Sequence, residues 1–208
     1  MMYKTGIITC GIRPLEKIDG AEVFIDKDRK GAAFVKNELL HKFYNEGVDY
    51  IFLFDDDCYP VIGGWADKII NWAKENDVHY LGGIDFKNAK VNSARKDVLI
   101  FDSPYIGAYY FFDRKCIENV GYYNPEYIKY GWEDVLYSIR VYKAFSLSGY
   151  PFPLWMNMYI HAKDMFSEQS LGNMTFEEKQ KYIKMNIPIQ RKEFENANNG
   201  NWYIGYNQ

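Results

Sequence analysis

Apolar residues in this chain come in short unbroken runs separated by stretches of helical spacing, and that alternation predicts an α/β protein. Thr5-Gly6-Ile7-Ile8-Thr9-Cys10-Gly11 reads as a first strand running into a turn at Gly11, with Arg13 just beyond. Glu22-Val23-Phe24-Ile25 is a second short strand ending at Asp26. Between Gly31 and Glu46, Ala32, Val35, Leu39 and Phe43 share one helical face, and Gly47 is a plausible stop. Lys36 and Asn37 fall off that face, which makes solvated surface the ordinary reading of Lys36 and a reach to phosphate the functional one.

Tyr50-Ile51-Phe52-Leu53-Phe54 has no polar alternation, as expected of a strand buried on both faces. It runs straight into Asp55-Asp56-Asp57, with Pro60 expected to end regular structure. Carboxylates at the carboxyl end of a core strand lie where open α/β sheets place ligands. Their mutual repulsion favours a hard divalent cation, although an acidic turn capping the next helix is the bland alternative.

Further on, the pattern predicts a helix over residues 65–75 and a strand over 78–81, with His79 as a satisfied core histidine. A polar loop or short hairpin is expected over 85–97. Tyr105 to Phe112 reads as another buried strand, in which Gly107 and Ala108 let something approach the backbone. A short helix over 113–121 and a turn at 122–127 follow. Gly131-Trp132-Glu133-Asp134 then precedes a helix with Val135, Leu136, Ile139 and Tyr142 on its apolar face. Pro151 and Pro153 mark a loop, and 155–160 reads as a last strand with His161 at its end. Residues 162–173 are a candidate lid. Thr175-Phe176-Glu177-Glu178 is a capping box opening a helix to about Met185, and a loosely held tail is expected from Asn196.

Composition narrows the field. With 208 residues, 48% of them hydrophobic, the chain can build one sizeable core. A net charge of −3 without a basic block argues against nucleic acid as a partner. Cys10, Cys58 and Cys116 are widely spaced, which suits neither a disulfide framework nor a zinc cluster and points to a reducing, cytoplasmic compartment. No run approaches the length of a membrane span, and no signal peptide is evident at the start. The 19 Tyr and 14 Phe suit sugar stacking, and equally suit a core.

If Thr9 to Arg13, Asp26, Asp55 to Asp57 and His161 share one sheet edge, they form a nucleotide-sized pocket with a metal. On those residues the chain resembles the GT-A glycosyltransferases, over about residues 5 to 161. Asp55-Asp56-Asp57 is similar to their DxD motif. Gly107-Ala108-Tyr109, Val120-Gly121, Asn124-Pro125-Glu126 and Gly131-Trp132-Glu133-Asp134 resemble the C-terminal stretch of inverting members. The overall likeness leans to chlorovirus enzymes that decorate capsid protein, which implies a host cytoplasm.

The resemblance implies a single GT-A (Rossmann-like) domain, with a mixed, mostly parallel central sheet flanked by helices. It divides into a nucleotide-binding half (1–105), an acceptor and metal half (106–165) and a C-terminal helix and tail (166–208), possible as a module of a longer chain. It implies Mn²⁺ or Mg²⁺ on Asp57, Asp55 and His161. Thr9, Gly11, Arg13, Asp26, Lys36, Asp55 and Asp56 would hold a nucleotide-sugar donor, most often a UDP-sugar. Asp134 is implied as general base, with Glu133 beside it on a glycan or glycoprotein acceptor. Trp132 reads as a ring that stacks on the acceptor sugar, with a core residue as the alternative. Two features depart from the family pattern: the turn Cys10-Gly11-Ile12-Arg13 is no recognisable signature, and Lys36-Asn37 stands where many members have Arg-Asn. A sugar nucleotidyltransferase and a non-catalytic carbohydrate-binding module are the competing readings. The first usually carries a Gly-rich basic loop after its first strand, and the second would not need the acidic triplet.

Overall fold

A computed structural model of the chain describes residues 2–162 and 174–206. Its strands are β1 (Tyr3–Thr9), β2 (Glu22–Ile25), β3 (Tyr50–Asp55), β4 (Cys58–Pro60), β5 (Tyr80–Gly83), β6 (Val91–Arg95), β7 (Val98–Phe101), β8 (Gly107–Asp113), β9 (Tyr150–Pro153) and β10 (Ile160–Ala162). Its helices are α1 (Ala32–Asn45), α2 (Trp65–Glu75), α3 (Arg114–Val120), α4 (Glu133–Ala144), α5 (Met156–Tyr159) and α6 (Phe176–Asn198).

The central sheet has the order β2-β1-β3-β8-β5. β1 pairs in parallel with both β2 and β3, while β8 is antiparallel to both β3 and β5. Four strands therefore run one way and β8 the other, giving a mixed, mostly parallel sheet. Helices cover both faces. On one, α1 packs so closely on β1 that a Cβ at Gly6 would lie 2.8 Å from Leu39. On the other, Trp65 of α2 meets Phe52 and Phe54 edge-on. Neighbouring residues of β3 point to opposite covered faces, which is why its sequence is apolar without alternation.

This topology sets Thr9, Asp26 and Asp55 at the carboxyl ends of three like-directed strands. The start of the reversed strand, Gly107, reaches the same edge. Strand order also changes direction of travel here: the chain goes from β1 out to β2, then back past β1 to β3, leaving a crevice beside the strand ends.

Several local expectations are corrected. Pro60 does end regular structure, but as the last residue of a strand: β4 forms a ribbon with β10 directly after the acidic turn. The strand expected over 155–160 is the one-turn helix α5 followed by β10. Exposed Asn157 and Met158 between buried Met156 and Ile160 give it a helical burial period, which a short apolar run does not reveal. The proline-marked loop is strand β9, tolerated because it pairs only with β7 at a sheet edge. The hairpin near 85–97 extends through β7 to Phe101. Asp113 accepts from His79 Nδ1 at 2.6 Å, so His79 is the satisfied core residue expected.

The C-terminal region is longer and better anchored than its polar sequence suggests. α6 runs past Met185 and through Pro188 to Asn198. Losing one helical hydrogen bond at Pro188 is offset by tertiary anchors on either side. Buried Asn186 donates to the carbonyls of Ile128 and Tyr130, both at 3.0 Å, and accepts from the Ile128 amide at 2.9 Å. Buried Glu193 lies 2.8 Å from the Arg140 guanidinium of α4. The tail is not loose either: Ile204 bridges to Gly121, and Tyr206 stacks on His41 at 3.6 Å and donates to Glu38 at 2.6 Å. Asn186 thus latches the segment that leads into Gly131-Trp132-Glu133-Asp134. Of the candidate lid at 162–173, Ala162 is the last residue of β10, and the rest lies outside the described residues.

Candidate active site

The strand ends open into a cleft of about 480 Å³, within the usual range for a small-molecule site. It is lined by Thr9, Asp26, Asp55, Asp56 and Asp57 from the strand ends and by Ala108, Tyr110, Glu133 and Asp134 from β8 and α4, with Arg13, Arg29, Lys36, Lys129 and Lys179 bringing positive charge. Among the described residues, seven non-glycine positions have positive φ, and three of them, Arg29, Ala108 and Lys129, border this cleft. A fourth, Trp132, is the N-cap of α4. Backbone strain of that sort persists where surrounding structure enforces it, and it gathers at functional sites.

At the β1 end the Thr9 hydroxyl accepts from the Gly11 amide at 2.9 Å and donates to Asp56 at 2.7 Å. Arg13 places one guanidinium nitrogen 3.3 Å from Asp56 and 3.2 Å from Asp57. Thr9, Gly11, Arg13 and the acidic turn are therefore one connected cluster. Asp26 uses both carboxylate oxygens on the amides of Lys30 and Gly31, each at 2.9 Å. It braces the loop that delivers α1 to the cleft.

Gly31 is needed there. With φ at 116°, its backbone packs so close that a Cβ would sit 2.5 Å from Lys129. Lys129 in turn accepts from the Ala32 amide at 3.1 Å.

The largest departure from expectation is Lys36. It lines the cleft but is not a solvated surface residue: it is 1% exposed. Its ammonium lies 2.5 Å from Asp134 Oδ1 and 3.8 Å from Glu133, with the rings of Tyr110 and Tyr123 at 4.4 and 5.0 Å. Burial works to lower its pKa, but the charges of Asp134, Glu133 and Asp55 outweigh that and raise it. The Tyr110 hydroxyl donates to Asp134 Oδ2 at 3.1 Å. Gly107 completes the enclosure, since a Cβ there would be 2.8 Å from the same oxygen. The close approach expected at Gly107 is thus the approach of the Asp134 carboxylate.

The acids are electrostatically crowded. Burial, with the charges of Asp134, Asp57 and Asp56, pushes Asp55 up to about 8 despite Lys36. Glu133 is pushed up to about 7 by burial and by Asp134, and its Oε2 is buried without a hydrogen-bond partner. Negative charge in excess of its compensation is what a bound cation would relieve.

Among the described residues, no group of three or more His, Cys, Asp and Glu side chains is set to hold a metal ion. The donor chemistry nevertheless fits a hard divalent ion of the kind that takes one or two carboxylates and completes its shell with water and phosphate. Asp56 and Asp57 already face one cation, the Arg13 guanidinium. His161 stands apart from the central sheet. It is exposed on β10, paired with Tyr59 of β4 and 5.3 Å from its ring, one residue along the ribbon from the Cys58–Ala162 pair that follows Asp57.

Trp132 is half-buried, and its indole donates to the Ile183 carbonyl of α6 at 3.2 Å. It lines a second hollow of about 220 Å³ with Ile106, Tyr130 and Ile183, which opens beside Glu133 and Asp134. Sequence reasoning missed Tyr110 as a partner of Asp134 and missed the burial of Lys36; neither has a local signal.

Fold and site together define an α/β protein with a doubly covered, mostly parallel sheet and an acidic cleft at its strand ends. No protein-family model matches the chain, and no curated protein matches it. Among solved structures, the crystal structure of A197 from STIV covers 66% of this chain and 76% of its own, at 19% identity and a TM-score of 0.43. No helix among the described residues is long and apolar enough to cross a membrane.

Proposed function

We propose that this chain is a metal-dependent glycosyltransferase of the GT-A kind, moving a sugar from a nucleotide-sugar donor to a hydroxyl of a glycan or protein-linked glycan, with inversion. The observation that carries the reading is that Asp55-Asp56-Asp57 and Glu133-Asp134, far apart in sequence, line one nucleotide-sized cleft. Donor activation needs positive charge at a leaving diphosphate, and acceptor activation needs a carboxylate across the reacting carbon. The cleft offers a place for each.

In this reading Asp57 and Asp55 hold a divalent ion, Mn²⁺ or Mg²⁺, with His161 contributing from the β4–β10 ribbon. The ion supplies charge stabilisation on the departing diphosphate. Thr9, Gly11 and Arg13 shape the β1 side of the donor site, and Arg13 is positioned to meet phosphate oxygens when they compete for it. Asp26 acts through the loop it braces, by fixing Arg29 and the start of α1 beside the donor. A UDP-sugar is the donor the resemblance favours.

In the same cleft, the Asp134 carboxylate takes the proton of the acceptor hydroxyl as that oxygen forms the new glycosidic bond and the donor carbon–phosphate oxygen bond breaks. Glu133 lies beside it toward the acceptor. The hollow flanked by Trp132, Tyr130 and Ile106 gives a sugar ring apolar faces to stack on.

Incubation with a panel of nucleotide sugars and Mn²⁺ tests the proposal by release of the nucleoside diphosphate. One donor is expected to be consumed, faster when a glycan acceptor is added. Release of pyrophosphate from a sugar phosphate and a nucleoside triphosphate would instead identify a nucleotidyltransferase.

A further inference from the structure

Asp134 is held by two donors on two other elements. Lys36, from α1, meets Oδ1 at 2.5 Å, and the Tyr110 hydroxyl, from β8, meets Oδ2 at 3.1 Å. Each carboxylate oxygen keeps a further lone pair, so the group is fixed in orientation without being used up. Lys36 itself has no freedom to serve elsewhere. Its side chain is 1% exposed and its ammonium sits between two tyrosine rings, with Glu133 as its second anion. Reaching a donor phosphate would mean leaving two buried carboxylates unpaired, which is strongly unfavourable.

The backbone is adapted to the same arrangement. Residue 107 has room for no side chain, because a Cβ would lie 2.8 Å from Asp134 Oδ2 and 3.0 Å from the Tyr110 hydroxyl. Asn37, the neighbour of Lys36, exchanges a pair of hydrogen bonds with the Tyr123 backbone at 2.9 and 2.8 Å, which fixes α1 against the segment carrying one of the two rings. A strand, two helices and a loop thus converge on one carboxylate.

We infer that Lys36 is a positioning residue, not a donor-binding one: with Tyr110 it clamps the Asp134 carboxylate in the orientation from which it receives the acceptor proton. The inference rests on the glycosyltransferase reading and adds to it a division of labour among the cations of the cleft. Arg13 pairs with Asp56 and Asp57, whereas Lys36 pairs with Asp134 and Glu133. A group held this way by rigid elements is pre-organised for reaction, where small misplacements are costly.

The test separates binding from turnover in Lys36→Met and Tyr110→Phe, using nucleotide-sugar affinity by calorimetry and steady-state transfer. In both variants donor affinity is expected to stay within about threefold of the parent. Transfer kcat is expected to fall on the order of 100-fold in Lys36→Met, the scale of a misdirected general base, and about tenfold in Tyr110→Phe, the scale of one lost hydrogen bond. Loss of donor affinity with unchanged kcat in Lys36→Met would overturn the inference and make Lys36 a donor contact. Unchanged kcat in Tyr110→Phe would also overturn it, and that variant leaves the charge pair intact, so it carries the test alone if Lys36→Met does not fold. A parent chain that transfers no sugar from any nucleotide sugar would sink the glycosyltransferase reading itself, an outcome distinct from an active parent with indifferent variants.

Discussion

Asp134→Asn is expected to lower sugar transfer by about 10²–10⁴-fold, the range a general base contributes, while leaving nucleotide-sugar binding in place. The substitution keeps the size of the side chain, and an amide oxygen can still accept from Tyr110. What it removes is the ability to take a proton, together with the nearest negative charge to Lys36. Glu133, 3.8 Å from the ammonium, remains as its counter-ion, so the lysine is not left wholly unpaired and the fold should survive. Steady-state transfer together with calorimetric donor titration checks both halves of the expectation. Retained transfer would remove Asp134 as the base and leave Glu133 as the carboxylate to examine next.

Asp57→Ala is expected to abolish the divalent-ion dependence of nucleotide binding and to cost transfer on the order of 10³-fold, matching the several kcal/mol a metal contributes at a departing diphosphate. The fold should persist, because Asp57 lies in the turn after β3 and its ionic partner, Arg13, keeps Asp56. Nucleotide titrations with and without Mn²⁺, alongside a thermal melt, read this out. Unchanged Mn²⁺-dependent binding would sink the assignment of the acidic turn to the metal.

The two sides of the site differ in how legible they are from the amino-acid sequence. The acidic turn is legible because β3 is buried on both faces, so an unbroken apolar run marks the strand and its last residue marks the ligand edge. Thr9, Arg13 and Asp26 follow from it, since alternating elements place neighbouring strand ends together. Gly107 is legible as a close approach, although the sequence does not say of what.

Lys36 is the opposite case. Its place off the apolar face of α1 suggests solvent, and only the fold brings it to an acid 98 residues away. Asn37 likewise finds the Tyr123 backbone 86 residues on. Burial of a charge depends on a partner, and a distant partner leaves no periodicity to read. The same holds for Asn186 and Tyr206, whose polar surroundings suggest a free C-terminal segment until their contacts with the loop before α4 and with α1 are seen. Around His161 the difficulty is of another kind. A short apolar run fits a strand or a helical turn equally well, and here it is one then the other.

The central claim is that the cleft binds a nucleoside diphosphate through a divalent ion held at the acidic turn, and thermal denaturation with UDP or GDP, each with and without Mn²⁺, tests it most directly. A ligand that binds only the folded chain raises its melting temperature once well above its Kd. The account predicts a clear rise with nucleotide and Mn²⁺ together, much less with either alone, and none for Asp57→Ala. No rise with either nucleotide in the presence of Mn²⁺ would contradict it and turn attention to a non-catalytic, sugar-binding role.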